Sequence, residues 1–203
     1  ISYHLPIINH FLQNNNLYSV PFTAYSGPVG YYPASGNLLG LWYILPLHST
    51  QLANLQNFIP LIALLISTLY FTKKLNFSKP IQYLFTFSLL YSPLLLKEIG
   101  TLHVDLFFTL TFLYAIIFLY EFIKNPKSTR AALLFSISIS LFIGTKYLAL
   151  PFALIPIFIF LIPFIKNIKI HYKILIPALI IAILSGLYWY IRNLSLTGNP
   201  LFP

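Results

Sequence analysis

From about position 52 onward the chain is a series of apolar runs, each close to the length that crosses a hydrocarbon layer, separated by short polar breaks. A hydrocarbon core of about 30 Å takes about 20 residues of helix at a rise of about 1.5 Å per residue. Six such segments are expected, at roughly 52 to 72, 80 to 96, 104 to 123, 131 to 146, 148 to 165 and 174 to 191. The fourth and fifth are short and joined only by Thr145-Lys146-Tyr147, so they read as two spans or as one re-entrant pair. Pro151, Pro156 and Pro163 predict kinks in the fifth, which a membrane helix tolerates when its neighbours satisfy the freed carbonyls.

Residues 1 to 50 are different. Asn14-Asn15-Asn16, Ser26-Gly27-Pro28 and Tyr31-Tyr32-Pro33 interrupt every apolar stretch there before it could span. The run Asn37 to Leu47 is too short to cross, and its Trp42 and Tyr43 suit headgroup level, which predicts a helix lying at the interface. The fold expected is therefore all-α: a multi-pass transmembrane helical bundle, residues 51–203, behind a large extracytoplasmic first loop, residues 1–50, containing short interfacial helices. Composition agrees, with 58% hydrophobic and 7% charged residues, outside the soluble globular range.

The net charge of +9 would suggest nucleic acid in a soluble domain, but here it serves orientation. Lys73, Lys74 and Lys79 lie in one connection, Lys124, Lys127 and Arg130 in another, and Lys166, Lys169 and Lys173 in a third. These connections alternate with the others, so their cations share one face, the cytoplasmic one by the positive-inside rule. Lys97, Lys146 and Arg192 fall on the opposite face, together with residues 1–50. There is no cysteine, which excludes disulfides and thiolate metal sites. The chain opens at Ile1, contains no Met, and stops in Gly198-Asn199-Pro200-Leu201-Phe202-Pro203, which together suggest an internal fragment of a longer protein.

The acids are three, and two of them, Glu98 and Asp105, stand seven apart at a junction of apolar runs. A carboxylate at a membrane boundary is costly and is usually kept for a task. With His103 between them, the stretch Lys97 to Asp105 reads as an active-site loop: a carboxylate as base, metal ligand or orienting group, and His103 as proton carrier or phosphate-side donor. The plainer reading pairs Lys97 with Glu98 and lets Asp105 favour the start of the next helix. Glu121, beside Lys124, reads as a surface charge. Lys146 and Arg192 suit a lipid phosphate, as a point charge and a planar fork, or else snorkel to the headgroups. A single histidine such as His4 is more often structural than a ligand. No HExxH, GxSxG, GxxxxGK[ST] or GxGxxG pattern is present.

Taken in series, Ser2-Tyr3-His4-Leu5-Pro6, Phe11-Leu12-Gln13-Asn14, Tyr31-Tyr32-Pro33-Ala34-Ser35-Gly36-Asn37, Gly144-Thr145-Lys146-Tyr147 and Trp189-Tyr190-Ile191-Arg192-Asn193 through Pro203 resemble bacterial integral-membrane glycosyltransferases of the type C fold. Protein O-mannosyltransferases and the lipid A aminoarabinose transferase belong to that group. The resemblance implies inverting transfer of a sugar from a polyisoprenyl-phosphate donor to a lipid, glycan or protein acceptor at the outer face of the cytoplasmic membrane. It also implies a principal base a few residues before the segment matching Tyr3 to Pro6, upstream of Ile1. Glu98 and Asp105, with His103 between them, match its second extracytoplasmic loop as catalytic candidates. Tyr3, His4, Tyr32, Lys146 and Arg192 are its candidates for substrate and carrier phosphate. No cofactor is required by these motifs. A divalent metal is compatible, although two carboxylates seven apart do not define a ligand set. The competing expectation is a transporter or flippase for a lipid-linked or anionic substrate, with the same charges lining its path. A purely structural subunit would leave the aromatic first loop unexplained.

Overall fold

The computed structural model describes residues 4–18, 28–46 and 50–203. It is all-helical, 78% helix, with no strand among the described residues. The first part holds α1 (His4–Asn14), a 3-10 turn (Pro28–Tyr31), α2 (Asn37–Ile44) and a second 3-10 turn (Thr50–Leu55). The bundle follows as α3 (Phe58–Lys74), α4 (Lys79–Leu90), α5 (Pro93–Ile99), α6 (Asp105–Lys124), α7 (Thr129–Ile143), α8 (Ala149–Lys166) and α9 (Ile168–Ile181). A π-helical stretch (Ala182–Leu187) joins α9 to α10 (Tyr188–Thr197). The expected helix within Asn37 to Leu47 is α2, with Trp42 72% exposed on it; Leu47 lies outside the described residues.

Among the described residues, four helices are long and apolar enough to cross a membrane: Leu52–Lys74, Asp105–Lys124, Ala149–Lys166 and Ile176–Thr197. Two of the six expected spans differ. The run at 80 to 96 is not one helix, because Pro93 has no N–H to donate and disfavours helical backbone at Ser92. Ser92 is extended, with ψ 117°, and Pro93 opens the separate short helix α5. The fourth run becomes α7, only 15 residues long, capped at its start by Ser128 Oγ accepting from Ala131 N–H. The last span is longer than expected at its C-terminal end. The basic connection of Lys166, Lys169 and Lys173 is also shorter than expected: a break at Asn167 leaves Lys169 and Lys173 on α9.

The core lies between α6, α7 and α8, where Phe122, Phe135, Phe142 and Phe160 pack against Ala115, Ala132 and Ala153. Small residues opposite rings bring helices close without a void. A second cluster, Leu61, Leu64, Leu95, Leu106 and Leu110, joins α3, α5 and α6. The outward faces are apolar as well: on α8, Ile155 is 68% and Phe158 65% exposed. An exterior of that kind is what lipid, rather than water, tolerates.

The first part of the chain packs on one end of this bundle. Ser35 N–H donates to the Gly144 carbonyl at 2.9 Å, and the Ser35 hydroxyl donates to the Ser185 carbonyl while accepting from Trp189 Nε1 at 2.8 Å. The contact needs a glycine at 144: a Cβ there would lie 2.1 Å from the Ser185 carbonyl oxygen and 2.5 Å from Ser35 Oγ. Gly186 meets α7 just as closely, since its Cβ would lie 2.7 Å from the Ser140 carbonyl oxygen. The π-helical stretch sits at this contact, as such bulges often do where a helix is re-aimed.

Candidate functional site

The loop between α5 and α6 forms the site, and two buried side chains from the turn before α3 hold it. Asn57, 1% exposed, directs its Nδ2 donors at the carbonyls of Glu98 (2.8 Å), His103 (2.9 Å) and Thr101 (3.1 Å). Gln56 adds a bond from Nε2 to the His103 carbonyl at 3.2 Å. A loop has no ladder to satisfy its own carbonyls, so these amides replace one. Gly36 brings the first part of the chain against the same loop, since a Cβ there would lie 2.7 Å from Val104.

On this frame four of the expected residues meet. His103 Nδ1 lies 3.1 Å from Glu98 Oε1 and 3.0 Å from Oε2, while Thr101 Oγ1 donates to Glu98 Oε2 at 3.3 Å. Lys146 Nζ donates to Asp105 Oδ1 at 2.6 Å. The pairs differ from the plain expectation: Glu98 takes His103 rather than Lys97, and Asp105, first residue of α6, makes no cap but holds a lysine from the α7–α8 turn. Glu98 is the more buried carboxylate, 16% exposed against 50% for Asp105.

His4 belongs to this group. It is buried, its Nδ1 lies 2.7 Å from Asn37 Oδ1, and its ring stands 5.9 Å from that of His103. Burial first of all, then the nearby His103 and Lys146 charges, pushes its pKa down to about 4 against the opposing Asn37 bond. It is therefore a neutral ring at physiological pH. Tyr3 lies outside the described residues.

The other expected residues form a separate, structural cluster. Arg192 is 1% exposed and donates to the Gly30 carbonyl at 2.9 Å and the Leu17 carbonyl at 3.3 Å, with its guanidinium 5.0 Å from the Trp189 ring. Those contacts fasten the first part of the chain to α10 and argue against a carrier-phosphate contact. Tyr32 stacks edge-on to Tyr147 at 5.8 Å, and the Tyr147 hydroxyl accepts from Asn193 Nδ2 at 2.7 Å and donates to the Phe202 carbonyl at 2.6 Å. Burial raises the Tyr147 pKa.

A cavity of about 320 Å³ opens beside the acids. Leu64 of α3, Leu89 and Ser92 at the α4–α5 break, Leu94 and Leu95 of α5, and Leu106 of α6 line it, and Glu98 and Asp105 stand on its wall. It is an apolar slot with carboxylates at its edge, made by the Ser92-Pro93 break. Among the described residues, Glu98, His103 and Asp105 also offer donor atoms within 4.8 Å of one another. Two carboxylates and an imidazole suit a divalent cation in kind, with Lys146 already occupying one oxygen of Asp105.

Sequence reasoning singled out Glu98, His103, Asp105, Lys146 and His4, but missed Gln56, Asn57 and Asn37. Gln56 and Asn57 fall inside the first expected span, and nothing in the sequence marked either of them or Asn37. Glu121 was expected beside Lys124 on the surface. It instead pairs with Lys74 at 2.9 Å, accepts from the Tyr70 hydroxyl, and lines a cavity. Comparison with protein-family models, curated proteins and solved structures finds no match to this chain.

Proposed function

We propose that the chain is a membrane glycosyltransferase that moves a sugar from a polyisoprenyl-phosphate donor to a lipid, glycan or protein acceptor. The observation that carries this reading is the apolar slot between α3, α5 and α6 with Glu98 and Asp105 on its wall, beside Lys146 and His103. An isoprenoid needs an apolar channel, and the phosphate at its head needs a cation. The bundle is read as multi-pass in the cytoplasmic membrane, with this end extracytoplasmic because the Lys-rich connections lie at the other.

In the reaction an acceptor hydroxyl oxygen attacks the anomeric carbon with inversion. The bond from that carbon to the phosphate oxygen breaks, and its electron pair leaves with the phosphate. Glu98 holds His103 by Nδ1, so the opposite ring nitrogen takes the acceptor's proton. Lys146, held in place by Asp105, meets the charge growing on the phosphate. A divalent cation held by the carboxylates of Glu98 and Asp105 would add positive charge at the same point.

The test is transfer of radiolabelled sugar from polyprenyl-phosphate donors by membranes carrying the protein. Asp105→Asn, His103→Ala and Lys146→Ala are each expected to abolish transfer while insertion stays normal. Retained transfer in Asp105→Asn would remove Asp105 from the mechanism. Donor-independent flux of a lipid-linked substrate, without any transfer, would replace the reading by a flippase.

A further inference from the structure

At the other end of the bundle, the last turns of α3 and α6 and the first turn of α7 enclose a second cavity, of about 510 Å³. Its wall is divided. Lys74, Arg130 and Ser128 stand around Glu121 on one side, and Ile66, Ile117 and Phe118 form the other. An adjoining cavity of about 360 Å³ shares Lys74, Glu121 and Ser128 and adds Lys124. Three cations thus face a single carboxylate, and Glu121 is already engaged by Lys74 at 2.9 Å and by the Tyr70 hydroxyl. The excess charge of the cavity is positive.

We infer that these adjoining cavities bind an anionic phospholipid, with its phosphate among Lys74, Arg130 and Lys124 and an acyl chain along Ile66 and Phe118. The divided wall is the main argument. A free phosphate ion has no use for the apolar half, and an uncharged lipid none for the cations. Depth agrees: Lys74 and Lys124 end two of the candidate spans, which is headgroup level. The Ile66 side chain is 61% exposed, so the apolar limb opens to the outside of the bundle, where acyl chains lie. The volume lies within the usual range of ligand sites. Glu121 orients the Lys74 ammonium rather than cancelling the site, as Arg130 and Lys124 make no ion pair within 4 Å among the described residues. The inference rests on the membrane reading above but not on the transfer reaction.

Native mass spectrometry of the detergent-purified protein tests it, with phosphatidylglycerol, phosphatidylcholine and excess inorganic phosphate as probes. Phosphatidylglycerol is expected to be retained over phosphatidylcholine. The Lys74→Ala/Arg130→Ala double variant should reduce that retention about tenfold or more, and Lys97→Ala/Lys169→Ala should not. If the double variant is misfolded by size exclusion, Ile66→Trp, which fills the apolar limb with every charge in place, must lower retention instead. Equal retention of the two lipids, or no change in either cavity variant, overturns the inference. Displacement of the lipid by inorganic phosphate would reassign the site to a free anion and overturn it too. Carbonate extraction reads the membrane premise separately: protein remaining in the pellet leaves that premise standing whatever the lipid result.

Discussion

Replacing Asn57 by Asp tests how the candidate site is held together. The substitution keeps the shape of a side chain that is 1% exposed, so packing is unchanged. It replaces two N–H donors by oxygen lone pairs facing the carbonyls of Glu98, Thr101 and His103. The His103 carbonyl keeps Gln56 Nε2 and the Glu98 carbonyl keeps the Thr101 N–H and hydroxyl, so the Thr101 carbonyl is the acceptor left unmet, at a cost of about 1–3 kcal/mol. For a chain of this size about 2–4 °C of melting temperature goes with each kcal/mol, so Tm in detergent should fall by about 2–12 °C. The pH dependence follows from the same geometry. A carboxylate among carbonyls is disfavoured, so the new group's folded-state pKa is raised and the folded state binds more protons than the unfolded one. The variant should therefore recover stability as pH falls, when the protonated acid regains one donor. Tm measured against pH, with hydrogen exchange over residues 98–104, checks both points. A variant melting within about 1 °C of the parent, or with no recovery at low pH, would refute the claim that Asn57 holds this loop.

Three further outcomes are expected. The His4 pKa lies at about 4 against an ordinary 6.5, so between these values the folded state binds fewer protons than the unfolded one. Its stabilising contribution is then complete above pH 6.5 and is lost as pH falls toward 4; the Tm slope over that window should flatten in His4→Gln, and equal slopes would rule His4 out as its source. Gly144→Ala, whose Cβ would meet the Ser185 carbonyl and Ser35 Oγ, should destabilise by about 1–3 kcal/mol or more. Gly100→Ala, with open space around it, should move thermal unfolding far less. Arg192→Lys should lower Tm by several degrees and expose residues 28–32 to proteolysis, because one ammonium cannot reach both the Gly30 and Leu17 carbonyls. A change confined to donor KM would return Arg192 to the carrier phosphate.

The helical class was legible because it follows from segment length and apolar content alone. The break at Ser92-Pro93 was not read, although proline acts on its own neighbours, because the apolar composition of 80 to 96 masked it. Glu98, His103 and Asp105 stood out as rare charges close together in sequence. Asn57 did not, because nothing local marks an amide whose targets lie more than forty residues away.

What the sequence determined by itself was position along each helix. At about 1.5 Å per residue, Asp105 and Glu121 stand about 24 Å apart on α6, at opposite ends, whatever surrounds them. Partners were decided only by the tertiary structure. Lys146 on Asp105, Lys74 on Glu121 and Arg192 on the Gly30 carbonyl all depend on which faces meet and how closely. That is set by packing at sites such as Gly36, Gly144 and Gly186, where a missing Cβ lets two segments touch. Rise along a helix is a local property of the backbone, whereas rotation and approach are settled jointly by neighbours distant in the chain.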